Sequence, residues 1–258
     1  MQIRLIKMKN LVNLFLAVVF SFSFMIGGNI VQAQDKIDAE LLTVMNNFAE
    51  QDIADEVDFT DKEKFLLTLA VLSAAGGIDD IPAYVDKALA SGASAEEIKE
   101  TVFQCTPYIG YAKAKPALAA VEQALIKAGK NQALNTGAVK NRADRLQQGL
   151  NKQYEIFGRE NIDAMRQNTP AEKQFITKFL AANCFGDYYT RPVLDVKQRE
   201  LITFVSITAL GGCESQVKAH IQANYNVGNS KKNLLDALII ALPYIGYPRT
   251  LNALGCIE

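Results

Sequence analysis

The sequence Pro-Tyr-Ile-Gly-Tyr occurs at residues 107–111 and again, without a change, at residues 243–247. The segment 59–68 likewise matches the segment 194–203 in its pattern of charged and apolar residues. Five identical residues at a nearly constant offset indicate an internal duplication. Each copy is longer than the unit of a solenoid repeat, so the sequence predicts two tandem domains.

Both copies carry the signals of helices. Ile98, Val102 and Cys105 follow the spacing of one apolar helix face, and Ser94 with Glu97 forms the pattern of a capping box at the start of that helix. Sustained strand alternation between hairpin turns is not found in the sequence. We therefore predict an all-α fold, with a first domain at residues 34–130 and a second at 131–258, joined through the polar segment 131–137.

The N-terminal residues 1–33 have the pattern of a signal peptide. Arg4, Lys7 and Lys9 precede an apolar run at 11–26, and small residues stand before a cleavage point after Ala33. The alternative is a single membrane anchor, but the apolar run is shorter than the ~20 residues that a spanning helix needs. We expect an exported protein, periplasmic or secreted, with no stable membrane span after cleavage.

Composition excludes several classes of function. The net charge is −1 and the sequence has no long basic run, so we expect no nucleic-acid partner. One histidine and the absence of any Cys-x-x-Cys pair argue against a metal site, and we expect no cofactor. In an oxidising compartment the four cysteines allow three full pairings, among which the sequence does not choose; they are Cys105, Cys184, Cys213 and Cys256.

The segment 211–220 contains the single histidine, His220, with Cys213 seven positions before it. On a helix these two residues are about two turns apart. Glu200 stands at the head of the apolar run 201–207 that leads into this segment. Cysteine, histidine and glutamate together can perform thiol or acid–base chemistry. The alternative is a helix pair whose polar residues only cap the helix ends.

These motifs resemble the carboxymuconolactone decarboxylase family, which includes the alkylhydroperoxidase-D proteins. The resemblance covers nearly all of the chain after residue 33, and a tandem-domain branch of the family matches most closely. It implies an all-α fold in each domain and an obligate oligomer, here a homo-trimer of tandem chains. The residues that carry the resemblance are 183–188, 199–201, 211–214, His220, Gly228 and 243–253.

The resemblance also implies which residues form the site. Peroxidase members of the family carry a glutamate, a Cys-x-x-Cys pair and a histidine, which correspond here to Glu200, Cys213 and His220, but Gln216 replaces the second cysteine. Decarboxylase members lack the cysteine pair and keep the histidine, as this chain does. In the first copy, Tyr84 or Val85 stands in place of His220, depending on the gap, so we expect a degenerate site there.

Three hypotheses for function follow. The first is a carboxymuconolactone decarboxylase-like enzyme that acts on a small carboxylated or lactone substrate, with His220 as general acid–base and Glu200 orienting it. The second is a thiol peroxidase that uses Cys213, and the third is a non-catalytic oligomeric binding protein. Candidate substrate-binding residues are Arg191, Arg199, Arg249 and Tyr247, although each arginine could instead form an ion pair within the protein.

Overall fold

The structure is a computed structural model that describes residues 39–130 and 141–257. The residues described form helices joined by turns and loops, with no strand among them, which confirms the all-α prediction. The chain divides into two compact units, residues 1–51 and 52–258. In the described part of the first unit, helix α1 (Ala39–Asn47) is followed by a π-helical turn, Phe48–Asp52.

The second unit contains ten α-helices among its described residues and one π-helical segment, Leu180–Tyr189, which follows α8. Short 3₁₀ turns precede α3 and α8. The α-helices are α2 (Asp61–Ala75), α3 (Ile81–Ala90), α4 (Ala95–Ile109), α5 (Tyr111–Lys127), α6 (Arg145–Phe157), α7 (Arg159–Asn168), α8 (Gln174–Phe179), α9 (Val196–Leu210), α10 (Glu214–Asn226) and α11 (Lys231–Leu254).

The repeated helices begin with equivalent caps. Thr60 caps α2 and Asp195 caps α9, while Ser94 caps α4 and Ser230 caps α11, and all four form complete capping boxes. The box predicted at Ser94 is therefore confirmed. Each cap oxygen accepts a backbone N–H that would otherwise have no partner in the first turn. The duplication thus preserves the signals that start its helices.

The Pro-Tyr-Ile-Gly-Tyr repeat breaks its helix at the glycine rather than at the proline. Pro107 lies inside α4, which continues to Ile109, and Gly110 then adopts a φ of 77°. Gly246 adopts a φ of 76° at the equivalent kink inside α11. Residues with a Cβ rarely adopt this left-handed region, whereas glycine enters it at little cost. The break ends α4 directly after Ile109, and α5 begins at Tyr111.

The two copies pack around a shared core. Helix α9 contacts both α2 and α4, and α11 contacts α2, so the strongest contacts of α9 include helices of the first copy. Val71 and Cys105 of the first copy are buried in the same cluster as Phe204, Val205 and Leu238 of the second. This packing places side chains of one copy in the neighbourhood of the other.

Some predictions concern residues outside the described ones. The predicted signal peptide at 1–33 lies there, as does the linker at 131–137, and the domain boundary at 130/131 stays a prediction. Among the helices that the structure does describe, none has the length and apolar character required to cross a bilayer.

Candidate active site

Glu200 and His220 are brought into direct contact by the packing of α9 against α10. The Nδ1 atom of His220 lies 2.7 Å from Oε2 of Glu200. Asn224, one turn after His220, donates from its side-chain amide to the carbonyl oxygens of both residues, at 3.1 Å to Glu200 and 2.7 Å to His220. The amide therefore holds the two helices in register at the carboxylate–imidazole pair.

The second carboxylate oxygen of Glu200 is held by a chain of hydroxyl groups. The Tyr189 hydroxyl donates to Oε1 at 2.7 Å and lies 3.0 Å from Thr203 Oγ1. The Tyr108 hydroxyl lies 2.9 Å from that of Tyr189, and the Cys184 thiol donates to Tyr108 at 3.6 Å. With both oxygens bonded, the carboxylate has one fixed orientation towards the imidazole.

The imidazole of His220 contacts two aromatic rings. Tyr108 and Phe157 both meet it edge-on, with ring centroids at 5.5 Å and 5.6 Å. His220 keeps 8% of its surface exposed, while Glu200 is completely buried. Because Nδ1 faces Glu200, Nε2 is the ring nitrogen left to exchange a proton with a ligand.

Burial keeps the neighbouring hydroxyl and thiol groups protonated. It raises the pKa of Tyr108 and of Tyr189 well above the ordinary tyrosine value, and for Tyr189 the nearby Glu200 carboxylate adds to this effect. Burial also raises the pKa of the Cys184 thiol to about 12. A buried neutral hydroxyl is a hydrogen-bond donor, so Tyr189 remains able to donate to Glu200.

Cys213 lies apart from this pair. It occupies the N-cap of α10, and seven residues of helix separate it from His220 by about 10 Å along the axis. Its thiol is half-buried and donates to the carbonyl oxygen of Gly211 at 3.4 Å. All four cysteines are free thiols. The cysteine that joins the histidine network is therefore Cys184, through Tyr108.

Arg199 and Arg191 both bind the buried carboxylate of Glu100, which belongs to the first copy. Arg191 donates from Nε to both carboxylate oxygens, at 2.7 and 2.9 Å, and stacks over the Phe103 ring. Arg199 is completely buried and donates to Glu100, to Gln104 and to the carbonyl of Arg191. Both guanidinium groups bond protein acceptors, with Arg199 joining α9 to α4 and Arg191 joining the connection before α9 to α4, an arrangement typical of a structural ion pair.

The other two candidate substrate-binding residues lie on the second half of α11. Arg249 donates to the carbonyl oxygen of Ala209 at 2.7 Å and, with Cys213, lines a small pocket of about 10 Å³. Tyr247 is 63% exposed. Neither residue is among the contacts of His220 and Glu200 described above. Metal-binding groups of three or more His, Cys, Asp or Glu side chains do not occur in the described part of the chain.

Several members of the network were not selected from the sequence. Tyr108 belongs to the repeated Pro-Tyr-Ile-Gly-Tyr motif, whose identity in both copies was the available signal. Tyr189 and Cys184 lie within or beside the segment 183–188, which contributed only to the family resemblance. The structure places residues 183–189 in the π-helix, with Tyr189 bonded to Glu200.

The first copy has a counterpart of the site with different side chains. Phe65 occupies the position equivalent to Glu200, and Tyr84, rather than Val85, occupies that of His220. Tyr244, which corresponds to Tyr108 in the second occurrence of the repeated motif, meets Tyr84 edge-on with centroids at 5.9 Å and hydrogen-bonds it through the hydroxyl groups. Val85 is buried in the core instead. Of the two residues that the sequence allowed at this position, Tyr84 is therefore the one that corresponds to His220.

A family model for the carboxymuconolactone decarboxylase family matches this chain twice, at residues 39–123 and 176–258. The chain belongs to this family. It is also similar to the 4-carboxymuconolactone decarboxylase of Acinetobacter baylyi, with 27% identity over 118 residues, which cover 46% of this chain and 87% of that relative. The two matches confirm the family resemblance and the tandem arrangement.

Proposed function

We propose that this protein is a lyase of the carboxymuconolactone decarboxylase type, which acts on a small carboxylated or lactone substrate through His220 and Glu200. The observation that carries the proposal is the 2.7 Å contact between His220 Nδ1 and a fully buried carboxylate whose other oxygen is fixed by Tyr189. Such a carboxylate holds the imidazole in one tautomer and orientation.

The contact defines the role of each group. A neutral His220 donates its Nδ1 proton to Glu200, so the lone pair of Nε2 is available to take a proton from the substrate and to return it. Glu200 stabilises the imidazolium that forms between these two steps. Tyr108 and Phe157, both edge-on to the imidazole, restrict the movement of the ring. This chemistry needs no cofactor.

The second candidate is a thiol peroxidase that uses Cys213, favoured by the partial exposure of this thiol at the first turn of α10. A relay from His220 would have to reach a sulfur about 10 Å away along the helix. Cys184, the thiol joined to the His220 network, is buried and its raised pKa opposes formation of a thiolate. The geometry therefore supports the acid–base proposal better.

Incubation of the purified protein with 4-carboxymuconolactone, with release of CO₂ as the readout, tests the proposal. We expect turnover above the buffer rate, and loss of that turnover in the His220→Gln protein. Tyr84→Phe is the matched control, because Tyr84 occupies the position equivalent to His220 in the first copy. Turnover of an alkyl hydroperoxide but not of the lactone would overturn the proposal in favour of the second candidate.

We also propose that the chain assembles as a homo-trimer. Large apolar side chains on α5 and on the end of α11 are exposed, among them Tyr111, Tyr247 and Leu251. Apolar surface of this kind is commonly covered by a protein partner. Light scattering should give three times the mass of the chain at micromolar concentration, and a monomeric mass would contradict the proposal.

A further inference from the structure

A cavity of about 550 Å³ lies away from the histidine site, where α6, α7 and α8 meet. Helices α6 and α7 belong to residues 145–168, which fall between the two segments that match the family model. The cavity has the size of pockets that hold small organic molecules. Its lining residues are Leu146, Arg166, Gln167, Gln174, Phe175, Thr177 and Lys178.

The lining has a positive charge and two apolar walls. Arg166 and Lys178 are both cationic, and none of the described residues that line the cavity is an aspartate or a glutamate. Leu146 forms one apolar wall. Phe175 forms another, is 58% exposed and lies edge-on to the Phe179 ring. Such a lining favours a ligand that has an anionic group at one end and an apolar body at the other.

Arg166 supplies the most direct indication of an anion. Its Nη1 atom is buried without a hydrogen-bond partner, and the described residues form no ion pair with its guanidinium. The nearest acidic residue on the same helix, Asp163, accepts the Tyr154 hydroxyl at 2.8 Å instead. Leaving a buried donor of a charged group unpaired is costly, and a bound carboxylate would remove that cost.

We propose that this cavity binds a small amphipathic carboxylate, whose anionic group pairs with Arg166 and Lys178. Arginine presents two parallel N–H donors that match the two oxygens of a carboxylate, which explains the choice of head group. The apolar body lies against Leu146 and Phe175. The site is separate from His220, so its occupancy can be measured whether or not the lyase proposal holds.

Calorimetric titration of the full chain with octanoate tests this inference. Saturable binding is expected, and Arg166→Met, which keeps the length of the side chain, should weaken it by about 10-fold or more through loss of a charge-assisted hydrogen bond. Arg159→Met is the matched control. Arg159 belongs to the same helix as Arg166, but it lies over the Tyr154 ring and does not line the cavity. That variant should bind octanoate as the parent does.

Two further ligands separate the contributions of head and body. Octanol, which lacks the charge, and inorganic phosphate, which lacks the apolar chain, should each bind at least about 10-fold more weakly than octanoate. Equal binding of either one overturns the assignment, as does an absence of saturable octanoate binding or equal affinity in Arg166→Met. If Arg166→Met does not fold, the exposed Lys178→Met replaces it. We then expect octanoate to bind about 2- to 5-fold more weakly, and unchanged affinity overturns the proposal.

Discussion

The two copies place three side chains in the same arrangement with different chemistry. In the second copy Glu200, His220 and Tyr108 meet, and in the first copy Phe65 and Tyr84 meet Tyr244. Each of these two groups takes its tyrosine from the other copy. Tyr108 of the first copy contacts His220, and Tyr244 of the second copy contacts Tyr84. The duplicated fold therefore fixes where the three groups stand, and the side chains decide whether a proton can be moved.

The two copies also differ in the burial of equivalent ion pairs. Glu100 is completely buried and pairs with Arg199 across the two copies, at 3.3 Å. The equivalent Asp236 pairs with Lys232 one turn away on its own helix, and that lysine side chain is 54% exposed. Asp236 and Lys232 also contact Asp58 of the first copy. In the Asp236–Lys232 pair, however, the cation is solvated, whereas both charges of the Glu100–Arg199 pair are buried.

The largest expected effect is the loss of turnover when the histidine of the second copy is replaced. Replacing His220 with Gln removes the titrating group and keeps an amide of similar size. We expect the turnover rate to fall by about 10²- to 10⁴-fold with little change in melting temperature. Full activity with any substrate that the parent converts would remove His220 from the mechanism.

The next largest effect is the loss of stability when the acidic partner of each ion pair is neutralised. Glu100→Gln leaves the buried Arg199 without a counter-charge and should lower the free energy of unfolding by about 3–5 kcal/mol. Asp236→Asn, the matched change in the other copy, should cost about 1 kcal/mol or less, since Lys232 is solvated. Urea denaturation of both variants measures this difference, and equal losses would mean that burial does not distinguish the pairs.

Alkaline pH should weaken the hydroxyl and thiol network of the second copy. Burial raises the pKa of Cys184 from 9.0 to about 12 in the folded protein. The folded state therefore holds this proton longer than the unfolded chain, so its contribution is complete below pH 9 and is lost as pH rises towards 12. Cys184→Ser should flatten the fall in unfolding free energy by about 1.4 kcal/mol per pH unit. Identical slopes in parent and variant would contradict this.

The exchanged tyrosines provide a smaller and more specific comparison. Tyr108→Phe removes the hydroxyl that bonds Tyr189 beside the carboxylate, and should reduce turnover by about 2- to 10-fold, the value of one hydrogen bond. Tyr244→Phe makes the same change at the counterpart site, beside Tyr84, and should leave turnover unaltered. Steady-state kinetics of the two variants test this difference. An equal loss of turnover in both would mean that the tyrosine beside Tyr84 also contributes to the reaction.

The smallest effect concerns Cys213. Because its thiol contacts Gly211 rather than the His220–Glu200 pair, Cys213→Ser should change lyase turnover by less than about twofold. Complete loss of activity in this variant would instead favour the peroxidase candidate. The same assay with His220→Gln as reference shows which of the two residues the reaction needs.

The sequence by itself determined the helices, the duplication and the family. Capping residues such as Ser94 and apolar spacings along α4 act over one or two turns, so they can be recognised without knowing the tertiary fold. The pairing of Glu200 with His220 was also predictable, because the family resemblance names both residues. Cys213 was grouped with them by its spacing from His220 and by the same resemblance, and its position at the N-cap of α10 separates it from the pair.

Only the tertiary structure decided what surrounds that pair. Tyr108 lies 81 residues before Tyr189, and Gln104 lies 95 residues before Arg199, so their contacts depend on how α4 packs against α9 and the π-helical segment. Sequence spacing carries no information on such long-range contacts, because they arise from burying the apolar faces of both copies in one core. The same packing commits Arg199 to Glu100, a role that its chemistry allowed but did not specify.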